Sequence, residues 1–246
     1  YGMARELSVI LKKPLKTLDS YLKYDKGSPK GKLKVSIKAD KDCPQFSGCV
    51  VTDVKVTESP QWMKSRLQAA GVRPINNLVD ITNYVMLELG APMHAFDRQS
   101  LGSDELIIRR AKKGEILETL DHKKRKLTEE DVLVCNGKNE PMSMAGVMGG
   151  LNSEVSDDTT ELVIEAANWN PVMIRKMSTR HGLRSDASQR FEKGLDPKLT
   201  EQAVARALVL LKETCPNAKL VSPVTTEGTW KTPKISLTVD PDIMNS

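Results

Sequence analysis

The chain has 246 residues, 39% of them apolar and 28% charged, which suits a globular protein of one large or two small domains. That balance excludes a collagen, a coiled coil and wholesale disorder. No apolar run reaches the roughly 18 residues of a membrane span, since even residues 203–211 are interrupted by Arg206. Thirty-seven basic against 32 acidic side chains leave a net charge of +5, which permits an anionic partner without identifying one.

Residues 4–13 predict the end of a helix stopped by Pro14, and the Lys/Gly/Pro-rich residues 24–32 a loop leading to an alternating strand at 33–37. A valine-rich strand is expected over 48–56. Ser59-Pro60 supplies an N-cap and first-turn proline for a short helix closed at Gly71, with Met63, Leu67 and Ala70 on one face. The next helix is clearer: Ile75, Leu78, Val79, Thr82, Val85, Met86 and Leu89 form one face, and Gly90 closes it. Asn76, Asp80 and Asn83 line another face, which reads first as a solvated stripe and second as a tether for a neighbouring loop.

Short strands are expected at 106–110, 115–120, 124–127 and 132–134, with a hairpin tip at Asp121-His122-Lys123. The basic run 123–126 reads as an exposed edge protected by charge more than as an RNA reader. A strand at 162–166 precedes two helices, one capped by Asn170-Pro171 and running to Gly182, the other capped by Asp196-Pro197 and running to about Thr214. Residues 220–226 read as a returning strand. Residues 234–239 open a further one, broken off at Met244-Asn245-Ser246 as in a piece of a longer polypeptide. These elements make a strand-rich α+β fold, without regular βαβ alternation.

Cys43, Cys49, Cys135 and Cys215 have no C-x-x-C spacing and His94, His122 and His181 are scattered, so a zinc site is not expected. Unpaired cysteines and no charged-then-apolar leader after Tyr1-Gly2-Met3 point to a reducing cytoplasm. There is no G-x-S-x-G, no P-loop and no G-x-G-x-x-G, so neither a serine nucleophile nor ATP binding is supported. His181, Ser185 and Asp186 are neighbours in sequence, but a triad is a matter of geometry. Four denser features remain. The loop 144–150 is built of small residues with three glycines, suited to a tight turn or a close backbone approach. Glu165 lies in LVIEAANW on the side of Val163 and Ala167, near a rim or buried with a partner. His94 stands beside Phe96 in PMHAFD, and RHGLRSDASQRFEKG packs charges and hydroxyls unusually densely, with Asp186 and Arg190 at helical spacing.

GVRPINNLVDITNYVMLELGAPMHAFD, the MAGVMGG loop, LVIEAANW and RHGLRSDASQRFEKGLDP, in that order, resemble the central editing module of the bacterial phenylalanyl-tRNA synthetase β-subunit family over roughly residues 43–218. The resemblance implies a mixed α/β editing domain of B3/B4 type between partial flanking modules. Residues 1–42 would be the end of an N-terminal core module and its linker, and 219–246 a return strand, a linker and the first strand of the next module. It implies a class II, α2β2 synthetase in the cytoplasm, whose α subunit performs ligation with ATP and Mg2+. This segment would need no cofactor and no metal of its own. The implied activity is hydrolysis of tyrosine wrongly esterified to tRNA(Phe), with the tRNA acceptor end and the α subunit as partners.

Position by position, the family's pocket histidine falls on His94, its pocket glycine on Gly149, and the glutamate that recognises the tyrosine hydroxyl on Glu165. Its small and hydroxyl residues fall on Ala187 and Ser185, the latter a threonine in relatives; serine keeps the hydroxyl. His94 and Ser185 are then expected to place water or the terminal ribose, and Glu165 to accept the phenol as an ionised carboxylate. The same resemblance leaves an alternative: a module that has lost hydrolysis and only positions tRNA and the α subunit.

Overall fold

The computed structural model describes residues 1–27 and 29–239. Its strands are Lys34–Ile37 (β1), Gln45–Thr52 (β2), Met93–Asp97 (β3), Glu105–Arg110 (β4), Ile116–Glu118 (β5), Lys124–Lys126 (β6), Val132–Asn136 (β7), Pro141–Met144 (β8), Met148–Gly149 (β9), Leu162–Asn168 (β10), Lys219–Leu220 (β11) and Thr225–Gly228 (β12). The helices are Gly2–Ile10 (α1), Gln61–Ala69 (α2), Asn77–Leu89 (α3), Arg98–Leu101 (α4), Pro171–His181 (α5), Asp186–Phe191 (α6) and Leu199–Thr214 (α7).

One sheet runs β1-β4-β7-β8-β9 and the other β11-β2-β10-β3, with β12 also on β2; β5 and β6 form a separate hairpin. In the second sheet β10 is central, antiparallel to both β2 and β3, and buried along its whole length. A strand covered on both faces needs apolar residues at successive positions, which explains the run LVI and the missing alternation. Its residues serve two cores in turn. Leu162, Ile164 and Ala166 pack with Val85 of α3 and Ala207 and Leu211 of α7. Val163 and Ala167 face the other way, toward Ile108 and Val134 of the first sheet. The result is three layers, with helices, central sheet and outer sheet in order. By alternation Glu165 falls on the Val163–Ala167 side, between the two sheets.

Helix α3 starts and stops where its sequence dictates. The Asn76 side chain accepts from the amides of Leu78 and Val79, and Gly90 closes the helix at φ 78°. The expected solvated stripe on this helix is not solvated. Asp80 is fully buried, and its carboxyl accepts from the Ser59 hydroxyl (2.5 Å) and the Ile75 amide (2.9 Å). Ser59 is thereby drawn away from α2, whose N-cap position is taken by Pro60 instead. Ile75, placed on the apolar face by its spacing, lies before the cap and is 66% exposed.

Other expectations shift for local reasons. The first helix ends at Ile10, before the left-handed Lys12 (φ 52°), and the valine-rich strand ends at Thr52, before the left-handed Asp53 (φ 55°). PMHAFD supplies β3, and the small-residue stretch near 144–150 supplies the ends of β8 and β9, which no alternation announces. The returning segment is two short strands, and residues 234–239 form no strand and are exposed. Residues 240–246, with the Met244-Asn245-Ser246 end, and Ser28 lie outside the described residues. Among the described residues no helix is long and apolar enough to cross a membrane.

Asp80→Ala leaves the Ser59 hydroxyl and the Ile75 amide without their acceptor, and should cost roughly 2–4 kcal/mol in urea unfolding. A loss below about 0.5 kcal/mol, the range of ordinary surface changes, would show that the buried tether is not needed.

Candidate functional site

Strand register builds the centre of the site. Glu165 of β10 lies opposite His94 of β3 on one side and Gly48 of β2 on the other, so the three form one row across the sheet. The row faces the space between the sheets. His94 packs edge-on against Phe96, two residues along the same strand, with ring centroids 4.5 Å apart at 82°. Its Nε2 is buried and has no hydrogen-bond partner, alone in this among buried side-chain nitrogens and oxygens of the described residues. Glu165 is 7% exposed, and no hydrogen bond or ion pair reaches its carboxyl from the described residues.

The turn between β8 and β9 forms the opposite wall. Gly146 sits at φ 66° against Trp169, Ile174 and Phe191, where a side chain would collide. A Cβ at Gly149 would stand 2.7 Å from Cε1 and 3.0 Å from Nε2 of His94, and 2.9 Å from Leu120 Cδ1, so glycine is required for the imidazole to lie there. Two clamps hold this turn. The Leu120 amide donates to the Gly149 carbonyl (3.1 Å), and the Ser185 hydroxyl donates to the Val147 carbonyl (2.7 Å).

Between these walls is a pocket of about 80 Å³ lined by His94, Gly149, Glu165 and Ala187, with Met93, Met148, Trp169 and Phe191 among its apolar surfaces. Four of the five residues singled out from sequence therefore meet in one hollow. Ser185 does not line it. Besides donating to Val147, its side chain accepts from the Ser188 amide as the N-cap of α6. The His181, Ser185 and Asp186 triad is not assembled: His181 Nε2 lies 2.9 Å from Asp131, Asp186 pairs with Arg190, and Ser185 holds Val147. Leu120, on the segment joining β5 and β6, does not line the pocket but backs Gly149, and carries no sequence signal for that role; only the tertiary fold brings it there.

A larger hollow of about 750 Å³ lies beside residues 23–27 and 29–32, α7 and β11, and shares no lining residue with the Glu165 pocket. No unpartnered buried side-chain nitrogen or oxygen of the described residues belongs to it. Its size exceeds that of the Glu165 pocket.

Burial sets the charge state of the smaller pocket. It pushes the Glu165 carboxyl up to about 8 and the His94 imidazole down to about 4, so both are neutral near pH 7. Against the expectation of an ionised acceptor at Glu165, burial favours the carboxylic acid, which has a carbonyl oxygen that accepts and a hydroxyl that donates. Burial also raises the Cys43 thiol well above its usual range and the Cys49 thiol to about 12, so neither offers a thiolate. No cluster of three or more His, Cys, Asp or Glu side chains among the described residues could hold a metal ion.

Residues 42–216 match the model of the B3/4 domain. The chain belongs to the B3/4 domain family. It is 45% identical over 244 residues to the phenylalanine–tRNA ligase beta subunit of Geobacillus kaustophilus, covering 99% of this chain and 30% of that protein. The same subunit of Shouchella clausii is 45% identical over 212 residues, and that of Porphyromonas gingivalis 44% over 218, each with 26% of its length covered. The chain thus spans about a quarter to a third of these relatives. In this B3/4 domain, β10, β3 and the β8–β9 turn, which build the pocket, all lie inside the matched residues.

The two shifts predict a pH signature of stability. Unfolded, Glu165 titrates near 4.5; folded, it keeps its proton to about 8, so its contribution is full below 4.5 and is lost as pH rises to 8. His94 works in the opposite sense, losing stability as pH falls from 6.5 through about 4. Glu165→Gln is neutral at every pH, so its Tm relative to the parent chain should climb between pH 5 and 8 in circular dichroism melts. Parallel Tm curves would contradict a buried neutral acid.

Proposed function

We propose that the pocket hydrolyses tyrosine wrongly esterified to the 3′ end of tRNA(Phe), giving free tyrosine and uncharged tRNA. The observation that carries this reading is the unpartnered carboxyl of Glu165 inside a hollow whose other walls are small or apolar. A ligase site shaped for phenylalanine cannot strongly reject a ligand that merely adds a hydroxyl; such discrimination is on the order of a hundredfold. A second site that hydrogen-bonds the hydroxyl selects in the reverse sense, because a phenylalanine ring displaces water and leaves the buried carboxyl unpaired. Neutral Glu165 suits a neutral phenol, since its carbonyl oxygen accepts the phenolic proton without the desolvation of an anion.

The site contains no activated nucleophile, and an aminoacyl ester needs little beyond a well-placed water. In this reading His94 Nε2, buried and unpaired, orients that water or the terminal ribose. Ser185 contributes through the turn it clamps, by holding Val147. Ligation itself, with ATP and Mg2+, would belong to the α subunit of a cytoplasmic α2β2 assembly, with tRNA(Phe) as the shared substrate. The supporting fact is that the relatives of this B3/4 domain are phenylalanine–tRNA ligase beta subunits.

Glu165→Ala should reduce the preference for hydrolysing Tyr-tRNA(Phe) over Phe-tRNA(Phe) by roughly ten- to a hundredfold, measured as a ratio of single-turnover rates. An unchanged ratio defeats the recognition role, and no hydrolysis by the parent chain within a complete synthetase favours the positioning module instead. Gly149→Ala forces the imidazole to move, and should lower the hydrolysis rate at saturating Tyr-tRNA(Phe) at least tenfold. A parent-like rate would show that this wall does not shape the pocket.

A further inference from the structure

The hairpin of β5 and β6 is joined to the pocket more tightly than its separate pairing suggests. Besides the Leu120 amide on Gly149, Thr119 bridges to Gly150. From Leu120, which backs the pocket residue Gly149, the chain reaches Lys123 within three residues, a span of at most about 11 Å. The turn is stiffly wired. Thr119 donates to Asp121 (2.6 Å), Arg125 donates to both Thr119 (3.0 Å) and Asp121 (2.5 Å), and His122 takes the left-handed conformation at φ 57°.

Charge on this segment is lopsided. Residues 112–126 carry six basic and three acidic side chains, against 37 and 32 in the whole chain. Its one arginine, Arg125, is engaged by Asp121, and its Glu115 is taken by Arg109 of β4. Lys112, Lys113, Lys123, Lys124 and Lys126 are all exposed and none is in an ion pair. Protection of an open strand edge accounts for Lys124 and Lys126 on β6. It does not account for Lys112 and Lys113, which precede β5, or for Lys123 at the turn.

We infer that this lysine-bearing hairpin is a docking surface for the phosphate backbone of the RNA whose terminal ester enters the Glu165 pocket. The inference rests on the proposed editing function, which supplies the RNA. An ester delivered to the Glu165 pocket trails its phosphates outward, and Gly149, which lines that pocket, is bonded to Leu120, from which the chain runs into a row of exposed lysines without ion pairs among the described residues. Lysines on such a surface contact phosphate without reading base sequence. They track the strand that leads to the pocket.

The test is filter binding of deacylated tRNA(Phe) to the full chain and to its Lys123→Glu/Lys124→Glu/Lys126→Glu variant, between about 50 and 200 mM salt. The variant should bind at least about tenfold more weakly, and its plot of log K against log salt should be shallower by about 2 to 3. A triple Lys→Gln variant, which removes charge without reversing it, should flatten the slope in the same way and serves if the first fails to fold. An unchanged slope in both, or tRNA binding by the parent chain that does not depend on salt, overturns the inference. Deacylated tRNA carries no tyrosine, so this result is independent of Glu165. Loss of the pocket reading would show in the hydrolysis ratio, and loss of the hairpin reading in the salt slope.

Discussion

A carboxyl held between two sheets with no protein partner constrains everything around it. A mostly buried carboxyl without a hydrogen bond costs up to about 1–3 kcal/mol, and an ionised one more. The same strand buries Leu162, Val163 and Ile164 almost completely, each contributing roughly 1.5–3 kcal/mol. The strand therefore stays firmly in place while carrying one side chain that opposes burial. Neutralisation completes the compromise: Glu165 keeps its proton and His94, directly across the ladder, declines one. Had either been charged alone, the space between the sheets would have needed a counter-ion, and none of the described side chains supplies one.

The pocket's second wall is mostly backbone, and this explains its residue types. Val147 and Gly149 each lend a carbonyl to an outside donor, Ser185 on one flank and Leu120 on the other. A turn pinned through its carbonyls need not project side chains to be held, so small residues suffice at 145, 146, 149 and 150. Gly150 is as tightly bound as Gly149, since a Cβ there would meet the Met142 carbonyl at 2.5 Å. Rigid backbone beside a soft apolar floor keeps the hollow open. The same pins tie the charged hairpin and α6 to the site, so elements distant in sequence share one mechanical unit.

The helices were the legible part of the sequence, because caps and stops act locally: Asn76, Gly90, Asn170 and Gly182 sit at helix ends as their types imply. Strands were legible where one long apolar run marked a buried ladder, as at β10. They were hidden where they were short, as in β8 and β9, or where polar residues served a site, as in β3 with its His94. For Asp80 the second reading, a tether, holds over the solvated stripe, because spacing reports which face a residue shares and says nothing of what covers that face. The residues meeting in the pocket were found through resemblance, since His94, Gly149, Glu165 and Ala187 are spread over 94 positions and only strand register brings the first and third together. The protonation of Glu165 and the commitment of the Ser185 hydroxyl depend on three-dimensional surroundings, and no pattern of letters carries them.

Neutrality also bears on how such a site would work. General-base catalysis is most effective when the base titrates near the working pH, and an imidazole held near 4 is far too weak a base for that role at neutrality. Its buried Nε2 remains competent to hold a water or a hydroxyl in place, which requires a lone pair or a proton but no change of charge. Glu165 near 8 is mostly protonated at neutrality and well suited to meet a hydroxyl that is itself neutral. On the proposed reading, selectivity and rate then have separate sources. Selectivity lies with the carboxyl deep between the sheets, while rate comes from orientation and exclusion of bulk water around an ester that is already labile. A charged pair at the same two positions would have bound water strongly in the empty pocket and made its displacement by a phenyl ring costly.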